Sequence, residues 1–210
     1  MPYRQTEHSR KKREERKRSI IESARELFSS TGYETATVKD IVDGAGTSIG
    51  NFYFYFQTKE ELLLAVAKNI NDFVFDEIDT LAKPEYSSEL NSAIYIYVFT
   101  KHWYDNLEIA RVLIQGKIEV DTRNRLLYMH KEKLAELTNS GEKVADKFPL
   151  EIIISAWQSI WLGVLELKLH DTENNSNDYW AFIVIDLSLS AAGLSKEEIA
   201  ETKEKMLELI

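Results

Sequence analysis

Five polar side chains fall within nine residues: Thr47, Ser48, Asn51, Tyr53 and Tyr55. Hydroxyls and a carboxamide at this density offer the hydrogen bonds with which proteins read nucleic acid. An Asn amide can pair bidentately with an adenine edge, and hydroxyls can reach bases or phosphate oxygens. A cationic run lies upstream at Arg10, Lys11, Lys12, Arg13, Arg16, Lys17 and Arg18. Such a run either tracks a phosphate strand or stays a solvated tail. Enzyme chemistry finds no comparable set. The four histidines, His8, His102, His130 and His170, are scattered, and cysteine is absent. That removes disulfides, thiolate metal sites and thiol nucleophiles. No glycine-rich phosphate loop or nucleophile elbow occurs. Neither catalysis nor a cofactor is expected.

The net charge of −9 hides an asymmetry. Residues 1–68 balance to +2 and residues 69–210 to −11, while residues 1–18 alone carry +5. A basic end on an acidic body suits a chain that offers only that end to DNA. No uninterrupted apolar run reaches the roughly 20 residues of a membrane span. The first residues are charged, unlike a signal segment. With the missing cysteines, this fits a reducing cytosol.

Helices must position these groups. The three prolines fall at positions 2, 84 and 149, so long helices are permitted almost everywhere. Ile20, Ala24, Leu27 and Phe28 form one apolar stripe, predicting a helix over about 10–31 that Gly32 stops. Thr37 with Asp40 makes a capping box for a short helix ending at Gly44-Ala45-Gly46. A second short helix begins near Ser48 and buries Phe52 and Phe56; Thr58 with Glu61 opens a long one. Further helices are expected at about 86–104, 107–118, 121–139, 149–170, 177–193 and 196–209, the last capped by Ser195 with Glu198. The expected class is all-α. Two short helices joined by a three-residue turn containing glycine match a helix-turn-helix, whose second helix enters the major groove.

The run Thr37-Val38-Lys39-Asp40-Ile41-Val42-Asp43-Gly44-Ala45-Gly46-Thr47-Ser48-Ile49-Gly50-Asn51-Phe52-Tyr53-Phe54-Tyr55-Phe56-Gln57-Thr58-Lys59-Glu60-Glu61-Leu62 closely resembles the DNA-binding signature of the TetR family, as do Ala24, Leu27-Phe28 and Gly32-Tyr33 upstream. The resemblance covers about residues 16–66. It implies a helix-turn-helix domain over 1–66 and a helical effector-binding and dimerisation domain over 67–210. It further implies a phosphate contact for Thr37, base contacts for Thr47, Ser48 and Asn51, and backbone contacts for Tyr53 and Tyr55. Lys59 is implied to grip phosphate at a helix N-terminus. Ile49 departs from the family, where Lys, Arg or Pro is common, so the operator sequence does not transfer. Arg10, Lys11 and Lys12 can make up the lost charge.

In the remainder, the segments 149–170 and 177–193 are apolar on nearly every face, which suggests burial on two sides. The resemblance implies that these two helices form a four-helix bundle with a second copy, a two-fold dimer reading a palindrome. Trp161, Leu165, Trp180, Ile183, Asp186 and Leu187 are the expected interface. Asp186, alone among apolar neighbours, would hydrogen-bond there or meet a ligand. Tyr95, Phe99, Trp103, Tyr128, Trp157 and Trp161 either pack closely or line a cavity for a small hydrophobic or aromatic ligand. The expected protein is a repressor released from DNA by such a ligand. A helical interaction module with a non-functional helix-turn-helix is the alternative.

Overall fold

The structure, a computed structural model, describes residues 7–114, residue 133 and residues 150–210. Among the described residues there are helices and no strand: α1 (Glu7–Thr31), α2 (Val38–Gly44), α3 (Ile49–Tyr55), α4 (Lys59–Leu81), α5 (Ser88–Asp105), α6 (Leu107–Ile114), α7 (Leu150–Leu169), α8 (Asn177–Ala191) and α9 (Lys196–Leu207). The periodicity-based reading places these elements to within a few residues. The helix expected at 121–139, with Tyr128, falls outside the described residues except for position 133.

The described residues form two compact units, one of residues 7–71 with 106–114 and one of 72–105 with 133 and 150–210. In the first, Ile20, Ala24 and Phe28 of α1 are fully buried with Ile41 of α2, Phe52 of α3 and Leu62 of α4. The expected stripe of α1 is therefore its core face. Ser23, on that face, donates its hydroxyl to the Ile41 carbonyl at 2.8 Å. α1 and α2 approach so closely that a Cβ on Gly44 would stand 2.5 Å from Ser23 Oγ. Gly44 is thus a contact residue as well as a helix end.

In the second unit α8 packs against both α5 and α7, and α9 packs on α5 and α8. Residues Asn91 to Thr100 of α5 are buried on every side. α7 divides its apolar surface. Ile154, Trp157, Trp161, Val164 and Leu165 are buried, whereas the opposite stripe, at intervals of three and four residues, is open. Ile152, Ser159, Gly163 and Leu167 are exposed there, with Ala156 half-buried between them. Over Ile152–Leu169 this helix is long and apolar enough, by length and composition alone, to cross a membrane. Its inner face instead joins the core of the unit.

Candidate functional site

The helix-turn-helix is built by local chemistry. Thr37 caps α2: its hydroxyl accepts from Asp40 N–H at 3.2 Å, and its own N–H donates to Asp40 Oδ2 at 3.2 Å. The hydroxyl also donates to Asp40 Oδ2 at 2.6 Å. These bonds hold the Asp40 carboxyl below the usual aspartate range. At the far end Gly46 adopts φ +60°, and Thr47 N–H reaches back to the Val42 carbonyl at 2.9 Å. This left-handed closure needs a residue without Cβ and sets the sharp turn. Ser48 then caps α3 by accepting from Asn51 N–H at 3.3 Å.

A seven-residue helix can bury only one side. Phe52 and Phe56, one turn apart, take it, which turns Ile49, Tyr53 and Phe54 outward at 48%, 57% and 63% exposure. Asn51 is half-buried, and its amide donates to Thr47 Oγ1 at 2.8 Å. That bond fixes the amide plane before any partner arrives. Thr47, Ser48, Asn51, Tyr53 and Tyr55 are thus brought together on one short helix and its cap.

One placement differs from the sequence reading. Lys59 does not hold a free ammonium at the start of α4. It donates to the carbonyls of Tyr33 at 2.7 Å, Ala36 at 3.0 Å and Glu34 at 3.4 Å, and lies 4.4 Å from the Tyr33 ring centroid. It ties down the loop between α1 and α2. Arg10, Lys11 and Lys12 lie exposed on the first turns of the expected helix, which begins at Glu7. Sequence reasoning also passed over Phe54. Arg13 stands 5.6 Å from its ring centroid and Lys17 stands 5.8 Å from that of Phe56. The basic turns of α1 therefore lie beside α3. Their signal was present in the spacing, because Arg13 and Lys17 continue, at four-residue steps, toward the buried face of the same helix.

In the second unit the ring cluster is packed rather than hollow. Phe99 touches Trp157 and Trp161, each at 5.0 Å between centroids, and Tyr95 meets Trp157 at 5.5 Å. Tyr95, Phe99, Trp103 and Trp161 are all at least nine-tenths buried. Of the expected ligand-lining residues that are described, only Trp157 borders a cavity of about 230 Å³ between α5, α7 and α8. Of the expected interface residues, Trp161, Leu165 and Trp180 belong to the core of the unit itself, being 6%, 1% and 8% exposed. On α7 the large rings fill the inner face, so its outer face is left with smaller groups. Asp186 accepts from Lys203 of α9 at 2.7 Å and so has its partner within the chain. Ile183 is half-buried and Leu187 is 48% exposed, on the outward side of α8. Among the described residues no group of three or more histidines or acids is placed to hold a metal ion.

The family model for bacterial regulatory proteins of the TetR family matches residues 20–66, from the core face of α1 to the first turns of α4. Residues 20–66 are thus similar to the N-terminal domain of TetR-family regulators. Over 73 residues the chain is 34% identical to the repressor KstR2 of Mycobacterium tuberculosis, a stretch that is 33% of this chain and 36% of that protein. The chain thus matches about a third of the length of its curated relatives. The fold is similar to that of the transcriptional regulator FadR of Bacillus subtilis, solved with stearoyl-CoA, at TM-score 0.70 and 18% identity over 85% of this chain and 99% of that one. It is also similar to RolR solved with resorcinol, at TM-score 0.65 and 21% identity over 92% and 95% of the two chains. At these identities the likeness outside the TetR domain is one of fold.

Proposed function

We propose that the protein is a sequence-specific DNA-binding transcriptional regulator, a repressor that leaves its operator when a small hydrophobic or aromatic molecule binds the second unit. The observation that carries the reading is the TetR helix-turn-helix, whose α3 turns Tyr53 and Phe54 outward beside the preorganised Asn51–Thr47 pair. Asn51, Thr47 and Ser48 read base edges, Thr37 approaches the backbone, and Tyr53 and Tyr55 add hydroxyl contacts. Arg10, Lys11 and Lys12 supply charge from α1. The acidic second unit stays away from DNA and responds to ligand. Neighbours of the same fold that hold stearoyl-CoA and resorcinol support a ligand-responsive second unit without naming its ligand.

The working form is a two-fold dimer on a palindrome in the cytosol, formed by the outward faces of α7 and α8. Those faces carry Ile152, Ser159, Gly163 and Leu167 on one helix and Tyr179, Ile183 and Leu187 on the other. Ser159 and Gly163 on this side of α7 let two helix pairs approach closely.

Selection of bound duplexes from a random pool tests the reading. An operator with two related half-sites is expected. Asn51→Ala should weaken operator binding by roughly 1–3 kcal/mol and relax one base position per half-site. Equal loss on random DNA would remove Asn51 from base reading. If a folded protein selects no sequence at all, the interaction-module alternative becomes the better account.

A further inference from the structure

We propose that the cavity between α5, α7 and α8 binds an uncharged, largely apolar molecule of about one substituted ring, carrying an oxygen that accepts a hydrogen bond from Trp157. The consequence for DNA rests on the ligand-responsive reading above; the binding itself does not.

Size comes first. An apolar protein cavity of about 150 Å³ holds benzene. A space of about 230 Å³ therefore admits a ring with a few substituents. Charge comes next. The lining described combines Ile96 of α5, Ile153 and Ala156 of α7 and Leu189 of α8 with Ser92, Trp157 and Ser188, and includes no ionisable side chain. A carboxylate or ammonium entering would lose its hydration and gain no ion partner.

Polarity decides the remaining feature. Trp157 Nε1 and Ser188 Oγ are both buried without a hydrogen-bond partner, on residues 4% and 7% exposed. Buried donors and acceptors are nearly always paired, so two orphans on the wall of one cavity call for a polar atom from outside the chain. The indole N–H is a donor only, and the serine hydroxyl can donate or accept. The group that can answer either of them is an acceptor oxygen, as in a ketone, an ester, a nitro group or a phenol. Trp157 is also held in place: its ring meets Tyr95 and Phe99 edge-on at 5.5 and 5.0 Å. The donor is oriented before ligand arrives.

The test uses the full chain labelled with nitrogen-15 at tryptophan, whose four indoles give four resonances, that of Trp157 assigned with Trp157→Phe. The probes are acetophenone, ethylbenzene, benzoate and benzylamine, one ring each, differing in acceptor and charge. Saturable binding of acetophenone is expected, with the Trp157 indole proton moving most. Ethylbenzene should bind roughly three- to tenfold more weakly, and both charged probes more weakly still. Trp157→Phe should erase the preference for acetophenone over ethylbenzene. Ala156→Phe, which fills the cavity, should abolish binding of both. If that variant does not fold, the identity of the indole that moves decides alone. Tighter binding of benzoate or benzylamine, saturable movement of another indole only, or no saturable binding by any probe overturns the proposal. Acetophenone that binds as described yet leaves operator affinity unchanged keeps the site and removes the ligand-release reading.

Discussion

Gly44 and Ser23 show how one missing methyl group sets the spacing of the DNA-binding unit. A Cβ at Gly44 would come within 2.5 Å of the hydroxyl that Ser23 donates to Ile41. Gly44→Ala should therefore destabilise the protein by about 1–3 kcal/mol, as overpacked sites do. Adding Ser23→Ala clears the space, so the double variant should recover at least about 0.5 kcal/mol relative to additivity in denaturant unfolding. Strict additivity would remove the close contact as the reason for the glycine. Lys59 makes the second case. With its ammonium on three loop carbonyls, Lys59→Met should lower stability by about 1–3 kcal/mol. The salt slope of DNA binding should stay the same, whereas a phosphate-gripping lysine would make the slope shallower by about 0.9 per contact. A shallower slope at unchanged stability returns Lys59 to the phosphate. The caps at Thr37, Thr58 and Ser195 were legible because each is closed within four residues. The partners of Lys59 were not, since Tyr33 and Ala36 lie 26 and 23 residues before it and no local pattern announces them.

Helix periodicity located the elements well, yet it could not say how a helix apolar on all sides divides its surface. α7 and α8 each read as candidates for an interface. The structure turns Trp157, Trp161 and Trp180 inward and leaves Ile152, Leu167, Tyr179 and Leu187 exposed. A sequence gives residue size but not direction, and direction is what separates core from docking face. Gly163 offers a test with opposite signs. A Cβ there meets nothing within 4 Å. In an exposed helix interior, Gly163→Ala should therefore stabilise the protomer by roughly 0.5–1 kcal/mol. Gly163→Trp should leave circular dichroism unchanged while blocking the close approach of a second α7. Sedimentation at micromolar concentration then reads the outcome: dimer for wild type, monomer for Gly163→Trp. A tryptophan variant that sediments as wild type places the dimer contact elsewhere.

At the scale of the molecule the chain sets a basic end, +5 over its first 18 residues, against a body of −11 over residues 69–210. The sequence made that division plain by composition alone. Periodicity also puts the basic run from about residue 10 on the first helix, although the run itself carries no apolar stripe. α1 runs unbroken from Glu7 to Thr31. A continuous rod has a phase. Each residue added to an α-helix turns everything before it by about 100°. One alanine inserted between Arg18 and Ser19 should carry Arg13 off Phe54 and swing Arg10, Lys11 and Lys12 to another side of the axis. Seven alanines, close to two full turns, should restore the bearing while lengthening the rod by about 10 Å. DNA affinity measured against insertion length should therefore rise and fall with the helical repeat, where a flexible tail would give a smooth decline. The basic residues of this chain are then addressed by angle as well as by number, and the turn between Arg18 and Ile20 is the dial.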